Sequence, residues 1–464
     1  MASTPISRGT LNHRYRKWVA FSRRQLPLAT ALALVASVAP TAAAQASAPR
    51  PVTITVMDAQ EGTTSLTDFY SEAAAAYTRL HPNVHVEVKS ITFATMLDTG
   101  SLILSGSNAP SLFEVAQTYG SMYKLAQEHL ILPLSSYAAQ YGWAKTTSSS
   151  LLGLDGEASP AKQLLWSGDL YGMAYTANIV GVFYNKRLLA KVGDGIPRTF
   201  SAFEKDLATA KHDGLIPLSA GGGSNTYQLG QDVSEIAGAI APSRAAETYL
   251  YRLAAGDLGT TWTTSYVTRS AVILQDWGKS GYLSRNLLSS TETSSAAEFS
   301  SGKSLFLIDG NWESPAVQQV MGSNVGFFVL PSGSSTHGPQ PVATGGEALA
   351  IPTHGPDHAD AAAFMNFVVS QPGAKLLMDD ADQVPVIAVP GETHHFGGVN
   401  LDITNAWLQT NFANGAMPFW GSNTPDALTQ LAALSDELVS GRVTPAGFGK
   451  ALQADELSFR KTMS

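Results

Sequence analysis

Extended segments alternate with helical ones along this chain, and that alternation constrains its fold most. Val52–Met57 (VTITVM) is rich in β-branched residues and reads as a first strand. Phe69–Leu80 reads as a helix, ended by His81-Pro82-Asn83. Val84–Val88 (VHVEV) alternates with period two, as a half-buried strand does. A helix at Phe93–Leu104 and a strand at Pro110–Val115 follow, and this spacing predicts a parallel α/β sheet. The pattern resumes with a strand at Asn178–Tyr184 and a helix from about Ser201, where Ser201 and Glu204 form a candidate capping box. Ser219–Ser224 (SAGGGS) reads as a flexible turn. Helices are expected around Ala245–Ala254, Ser270–Lys279 and Ala359–Val369, and buried strands at Leu305–Ile308, Val325–Val329 and Ala348–Ile351. No internal repeat of fixed period is visible.

The first 48 residues read as a targeting segment. Arg14, Arg16, Lys17, Arg23 and Arg24 form a basic stretch, Leu26–Val38 is apolar, and Ala42–Ala48 offers several A-x-A cleavage sites. The apolar run is too short to span a bilayer stably. Arg23-Arg24 suggests twin-arginine export, with an ordinary Sec signal as the alternative. At 464 residues the chain is too long for one compact core, so two or more domains are expected. Six of its 29 basic residues precede position 49, so the remainder carries 23 against 37 acidic residues. Such an acidic surface argues against nucleic acid or an anionic membrane as a partner. The chain has no cysteine, which excludes disulfides, thiolate metal sites, cysteine nucleophiles and a lipid-modified N-terminal cysteine. A periplasmic or extracellular location is expected.

Enzyme motifs fail on inspection. Gly302-Lys303-Ser304 would end a phosphate-binding loop, but position 297 is Ala where that loop needs Gly. His354 and His358 are separated by Gly355-Pro356, and His394-His395 lacks a carboxylate at ligand spacing, so no metal is expected. Neither G-x-S-x-G nor H-E-x-x-H occurs. A carboxylate pair of the glycosidase kind remains open on sequence alone.

Four stretches together resemble the family 1 extracellular solute-binding proteins, the carbohydrate-binding subunits of ABC importers, which include maltose-binding-protein-like chains. They are Ala109–Phe113 with Lys124–Leu134; Gly168–Tyr175 with Gly181–Lys186 and Pro197–Phe203; Phe299–Ser304 with Asp309–Trp312; and Gly345–Ile351 with Ser370–Ala374. Ser440–Pro445 also fits. Ser111, His129, Ala174 and Phe200 depart from the family's usual Asp, Gly, Pro and Trp. The resemblance implies a two-lobed periplasmic-binding-protein-like (type II) α/β fold with a hinge and an interlobe cleft. It places one lobe at 51–174 plus 345–383 and the other at 175–344 plus 384–464. It also implies a monomer that captures a mono- or oligosaccharide and docks on an ABC transporter membrane permease, with no catalysis and no cofactor. The alternatives are a secreted carbohydrate-active enzyme, a glycoside hydrolase or lyase, and a free-standing sugar-binding adhesion or sensing module.

A sugar presents C–H faces and an equator of hydroxyls, so its site needs aromatic platforms and planar polar side chains. On this basis and the resemblance, the candidate ligand-binding residues are Trp312 and Trp420 as platforms, with Glu61, Gln117 and Tyr119 in loops after the first and third strands. Tyr175 and Asn178 at the first lobe crossover, Gly346 and Glu347 at the return crossover, and Asn225 and Tyr227 after the glycine run complete the set. Trp166 and Trp277 are expected in the core.

Overall fold

The structure is a computed structural model that describes residues 50–61, 64–147, 149–159, 164–193, 195–223, 226–334, 338–346, 348–387, 397–410 and 416–462. The targeting segment, Asn225, Glu347 and the His394-His395 pair lie outside those residues.

Thirteen strands are assigned: β1 (Val52–Asp58), β2 (Val84–Ser90), β3 (Leu112–Val115), β4 (Glu157–Ser159), β5 (Leu164–Leu165), β6 (Asp169–Leu170), β7 (Met173–Ala174), β8 (Ala177–Asn185), β9 (Ile216–Ser219), β10 (Ser304–Gly310), β11 (Val325–Phe328), β12 (Ala343–Gly345) and β13 (Ala348–Ala350). The first sheet has the order β2-β1-β3-β13-β7. β1 pairs in parallel with β2 and β3, as their helical connections require. The second sheet has the order β11-β8-β10-β9, with β12 also on β8. A small sheet β5-β4-β6 stands apart.

Both main sheets are mixed, which corrects the parallel sheet expected from sequence. β13 runs antiparallel to β3 and β7, and β8 runs antiparallel to β10, β11 and β12. The cause is chain crossing. From β7 in the first sheet the chain enters β8 in the second within a few residues, and from β12 it returns to β13 as directly. The outgoing run β7–β8 and the returning run β12–β13 point opposite ways, so they pair antiparallel in both sheets. A third link lies alongside, where Ala177 N–H donates to Val384 C=O at 2.8 Å and Thr176 bridges Pro385.

The helices follow their apolar stripes. Thr64–Leu80 lays Phe69, Tyr70, Ala73 and Tyr77 on the first sheet, in a cluster with Ile54, Val56, Leu349 and Phe364. Phe200–His212 packs Phe203 and Leu207 onto the second sheet's cluster. Thr199 caps it, its Oγ1 accepting from Ala202 N at 3.1 Å, in place of the Ser201–Glu204 box. The glycine run is no flexible turn at its start. Gly221 and Gly222 are buried, and their N–H groups donate to Gln228 Oε1 and Leu287 C=O at 2.7 and 2.8 Å. No helix among the described residues is long and apolar enough to cross a membrane.

Candidate functional site

Strands end where the chain must turn, and the ends of β1, β3 and β10 from the two main sheets converge on one cavity of about 550 Å³. The first sheet supplies Gln60 and Glu61 after β1, and Gln117 and Thr118 after β3. Behind them, wholly buried Glu114 on β3 accepts from Ala59 N–H at 3.3 Å and from the Gln60 amide, which fixes the loop after β1. The Gln117 amide donates to the Gly346 carbonyl, and so ties this loop to the return crossing.

The second sheet supplies Trp312 and Glu313, just beyond β10, and Asn178 on β8. The turn Asp309-Gly310-Asn311-Trp312 is tightly specified. Asn311 is buried; its Oδ1 accepts from Ile179 N at 2.8 Å and its Nδ2 donates to Ala177 C=O at 2.9 Å. A Cβ on Gly310 would sit 2.1 Å from the Trp312 ring, so the ring can fold back only over a glycine. The Trp312 indole N–H then donates to Glu292 Oε1 at 3.0 Å. Phe419 lies beside it, ring centroids 6.2 Å apart.

Aromatic rings and hydrogen-bonding groups therefore line the cavity together. Phe93, Trp166, Tyr227, Trp312 and Phe419 provide rings, while Gln60, Gln117, Asn178, Gln231 and Gln383 provide amides. Thr118, Thr176, Thr226, Thr293, Thr344 and Ser422 add hydroxyls. Four buried polar atoms on lining residues have no hydrogen-bond partner: Trp166 Nε1, Thr226 Oγ1, Gln231 Oε1 and Gln383 Nε2. Unpartnered donors and acceptors in a cavity are open positions for a polar ligand.

Of the sequence candidates, the structure gathers Glu61, Gln117, Asn178, Tyr227 and Trp312 on the lining. It places three others in packing instead. Trp420 is 1% exposed and meets Trp262 edge-on at 5.2 Å, so Phe419 is the ring of that segment that lines the cavity. Tyr119 packs tilted against Tyr123, ring centroids 4.0 Å apart, and Tyr175 stacks on Phe69 and meets Tyr70 edge-on. Gly346 works through its backbone: its N–H donates to Thr176 C=O at 2.7 Å, and a Cβ there would lie 1.8 Å from Thr176 Oγ1. Trp166 is buried in the core cluster as expected, and it also borders the cavity, with a left-handed backbone, φ 58°. Trp277 is in the core, stacked on Phe200.

Carboxylates mark one end. Oxygens of Glu292, Asp309 and Glu313 all lie within 4.8 Å of one another, a spacing that could hold a metal ion that sequence reasoning did not anticipate. Burial, with Glu292 and Glu313 close by, pushes Asp309 well above the usual carboxylate range. Burial and Glu292 push Glu313 up to about 7. Asp232, wholly buried, is pushed well up by burial and then by Glu292.

Comparison with known proteins covers most of the chain. The profile of the bacterial extracellular solute-binding proteins matches residues 63–375. The multiple sugar-binding protein of Streptococcus mutans is 25% identical over 183 residues, 39% of this chain and 43% of that relative's length. A chitin oligosaccharide binding protein superposes with a TM-score of 0.71 at 19% identity, covering 88% of this chain and 98% of its own. The GacH receptor of Streptomyces glaucescens, solved unliganded and with acarbose, superposes with a TM-score of 0.68 at 16% identity, covering 89% and 98%. These likenesses give the fold as two-lobed α/β.

Proposed function

Because this chain belongs to the bacterial extracellular solute-binding proteins, we propose that it captures a carbohydrate between its two lobes and delivers it to an ABC transporter permease. The observation that carries this reading is the cavity itself, where the Trp312 ring stands among amides and hydroxyls drawn from the strand ends of both sheets. Rings cover the C–H faces of a sugar and amides bridge its hydroxyls. Binding needs no bond made or broken in the ligand, and family membership favours capture over cleavage.

Residues 51–174 with 345–383 form one lobe in this reading, and 175–344 with 384–464 the other. The crossings between Ala174 and Ala177 and between Gly345 and Ala348 support those limits. A ligand that touches both sides favours the closed arrangement, and a permease that recognises that arrangement accepts the loaded form. The protein acts as a monomer, exported through a cleaved leader within residues 1–48 whose Arg23-Arg24 pair suits the twin-arginine route.

A thermal-shift screen of the mature chain against mono- and oligosaccharides, with product analysis of each hit, tests the proposal. A ligand at 100 times its dissociation constant adds about 2.7 kcal/mol of stability, a shift of a few degrees. A shift with the sugar recovered intact supports capture. A cleaved sugar would overturn it in favour of a hydrolase or lyase, and no shift across the panel would remove the carbohydrate assignment.

A further inference from the structure

The cavity gathers carboxyl groups, and no basic side chain lines it among the described residues. Its carboxyl groups are those of Glu61, Glu292 and Glu313. Glu292 and Glu313 sit over Asp309, which is wholly buried, their oxygens within 4.8 Å of one another. Three carboxylates that close cannot all ionise without a proton or a cation among them. A neutral sugar needs no such arrangement, since amides and hydroxyls already serve its hydroxyls.

A second observation points to a ligand in the same cavity. Gln231 is 9% exposed, lines the cavity, and keeps a buried Oε1 with no donor. Its neighbour Asp232 also carries a buried Oδ1 with no donor, and lies close enough to Glu292 to feel its charge. These two acceptors call for a donor, while Trp166 Nε1 and Gln383 Nε2 on the same lining call for acceptors, which the hydroxyls of a sugar supply. Trp312 adds a ring whose indole N–H already points to Glu292, and an aromatic face beside carboxylates suits a cation.

Building on the carbohydrate reading above, we infer that the ligand is an amino sugar whose protonated amine sits against Glu292 and Glu313. The geometry favours an amine over a bare metal ion. Asp309 Oδ1 accepts from Gly310 N at 2.8 Å and Oδ2 from Gln228 Nε2 at 3.2 Å, and Glu292 Oε1 accepts from Trp312. Few oxygens are left for a hard cation that needs six to eight. An ammonium needs only two or three acceptors, and its sugar fills the remaining volume.

Titration calorimetry on the mature chain tests this with a panel of amino sugars, from mono- to tetrasaccharide, each paired with its N-acetyl and its hydroxyl counterpart. Calcium chloride alone serves as a further probe. The expected result is at least ten-fold tighter binding of one free amine than of both its counterparts. Glu313→Gln should erase that preference, and a cooperative thermal melt of the variant shows that it folds. Equal or tighter binding of neutral sugars by the wild type would overturn the inference and leave the carbohydrate reading standing. Tight calcium binding that displaces the amine preference would assign the cluster to a metal instead. No binding across the panel would sink both readings together.

Discussion

Trp312 owes its place to three neighbours: Gly310 beneath the ring, Glu292 on its indole N–H and Phe419 at its side. Removing the ring should therefore cost affinity more than stability. Trp312→Ala is expected to weaken saccharide binding by about 2 kcal/mol, roughly 30-fold, by calorimetry. Trp312→Phe keeps a platform but loses the hydrogen bond, and should fall between. Glu235 tests a different kind of residue. It is 1% exposed on the helix Gln228–Ala239, its Oε2 accepts from Val342 N at 2.8 Å, and burial pushes it up to about 8. The folded state thus holds this proton more tightly than the unfolded state does. The stability it contributes is full below the ordinary carboxylate range and is lost as pH rises through about 8. Between pH 5 and pH 8 the wild type should lose about 3 kcal/mol that Glu235→Gln does not lose, read by chemical denaturation at each pH. At this scale the sequence carried Trp312 because its turn is spelled out locally, in Asp-Gly-Asn-Trp. Phe419 and Trp420 are adjacent in one turn, and only the position of Trp262 decides which ring faces the cavity. Nothing in the segment Pro418–Gly421 encodes that choice. Trp166 is on the lining by virtue of a left-handed backbone that its own neighbours do not announce.

Elements were legible where a local pattern determines them, and illegible where a partner does. β10 is buried at every position from Ser304 to Gly310, so an apolar run marked it as a strand but could not say which way its neighbours run. Strand direction depends on the links between β7 and β8 and between β12 and β13, which pattern does not reveal. The helix Phe200–His212 shows the same limit at its end, where Thr199 and Ser201 are both chemically able to cap, and Thr199 does. Thr199→Ala should cost about 1 kcal/mol of stability, whereas Ser201→Ala should cost little, by parallel melts. The turn after β10 gives a sharper test of element and site together. Gly310→Ala puts a methyl 2.1 Å from the Trp312 ring and must turn the ring away. Its binding loss should match that of Trp312→Ala, although the tryptophan is still present.

On the scale of the whole molecule, the crossings between the two sheets decide whether capture can be signalled. The proposed lobes are joined between β7 and β8 and between β12 and β13, with Val384 and Pro385 paired alongside, and these segments form the proposed hinge. Gln117 spans from the loop after β3 to the Gly346 carbonyl, which places a cavity residue in direct contact with the return crossing. Gly346 in turn lies so close to Thr176 that no side chain fits, its N–H held by Thr176 C=O at 2.7 Å. A ligand that reorders Gln117 would therefore act on the proposed hinge segment. Small-angle scattering should show the radius of gyration contract when a saturating ligand is added to the wild type. Gly346→Ala forces the crossing segments apart, and is expected to lower stability by about 1–3 kcal/mol and to blunt the contraction even at saturating ligand. Gln117→Ala leaves both crossings intact, so it should weaken binding while preserving the contraction once the site is filled. If Gly346→Ala contracted as fully as the wild type, the hinge would have to lie elsewhere, and the contact between Gln117 and Gly346 would serve the rigidity of the unliganded site rather than its closure.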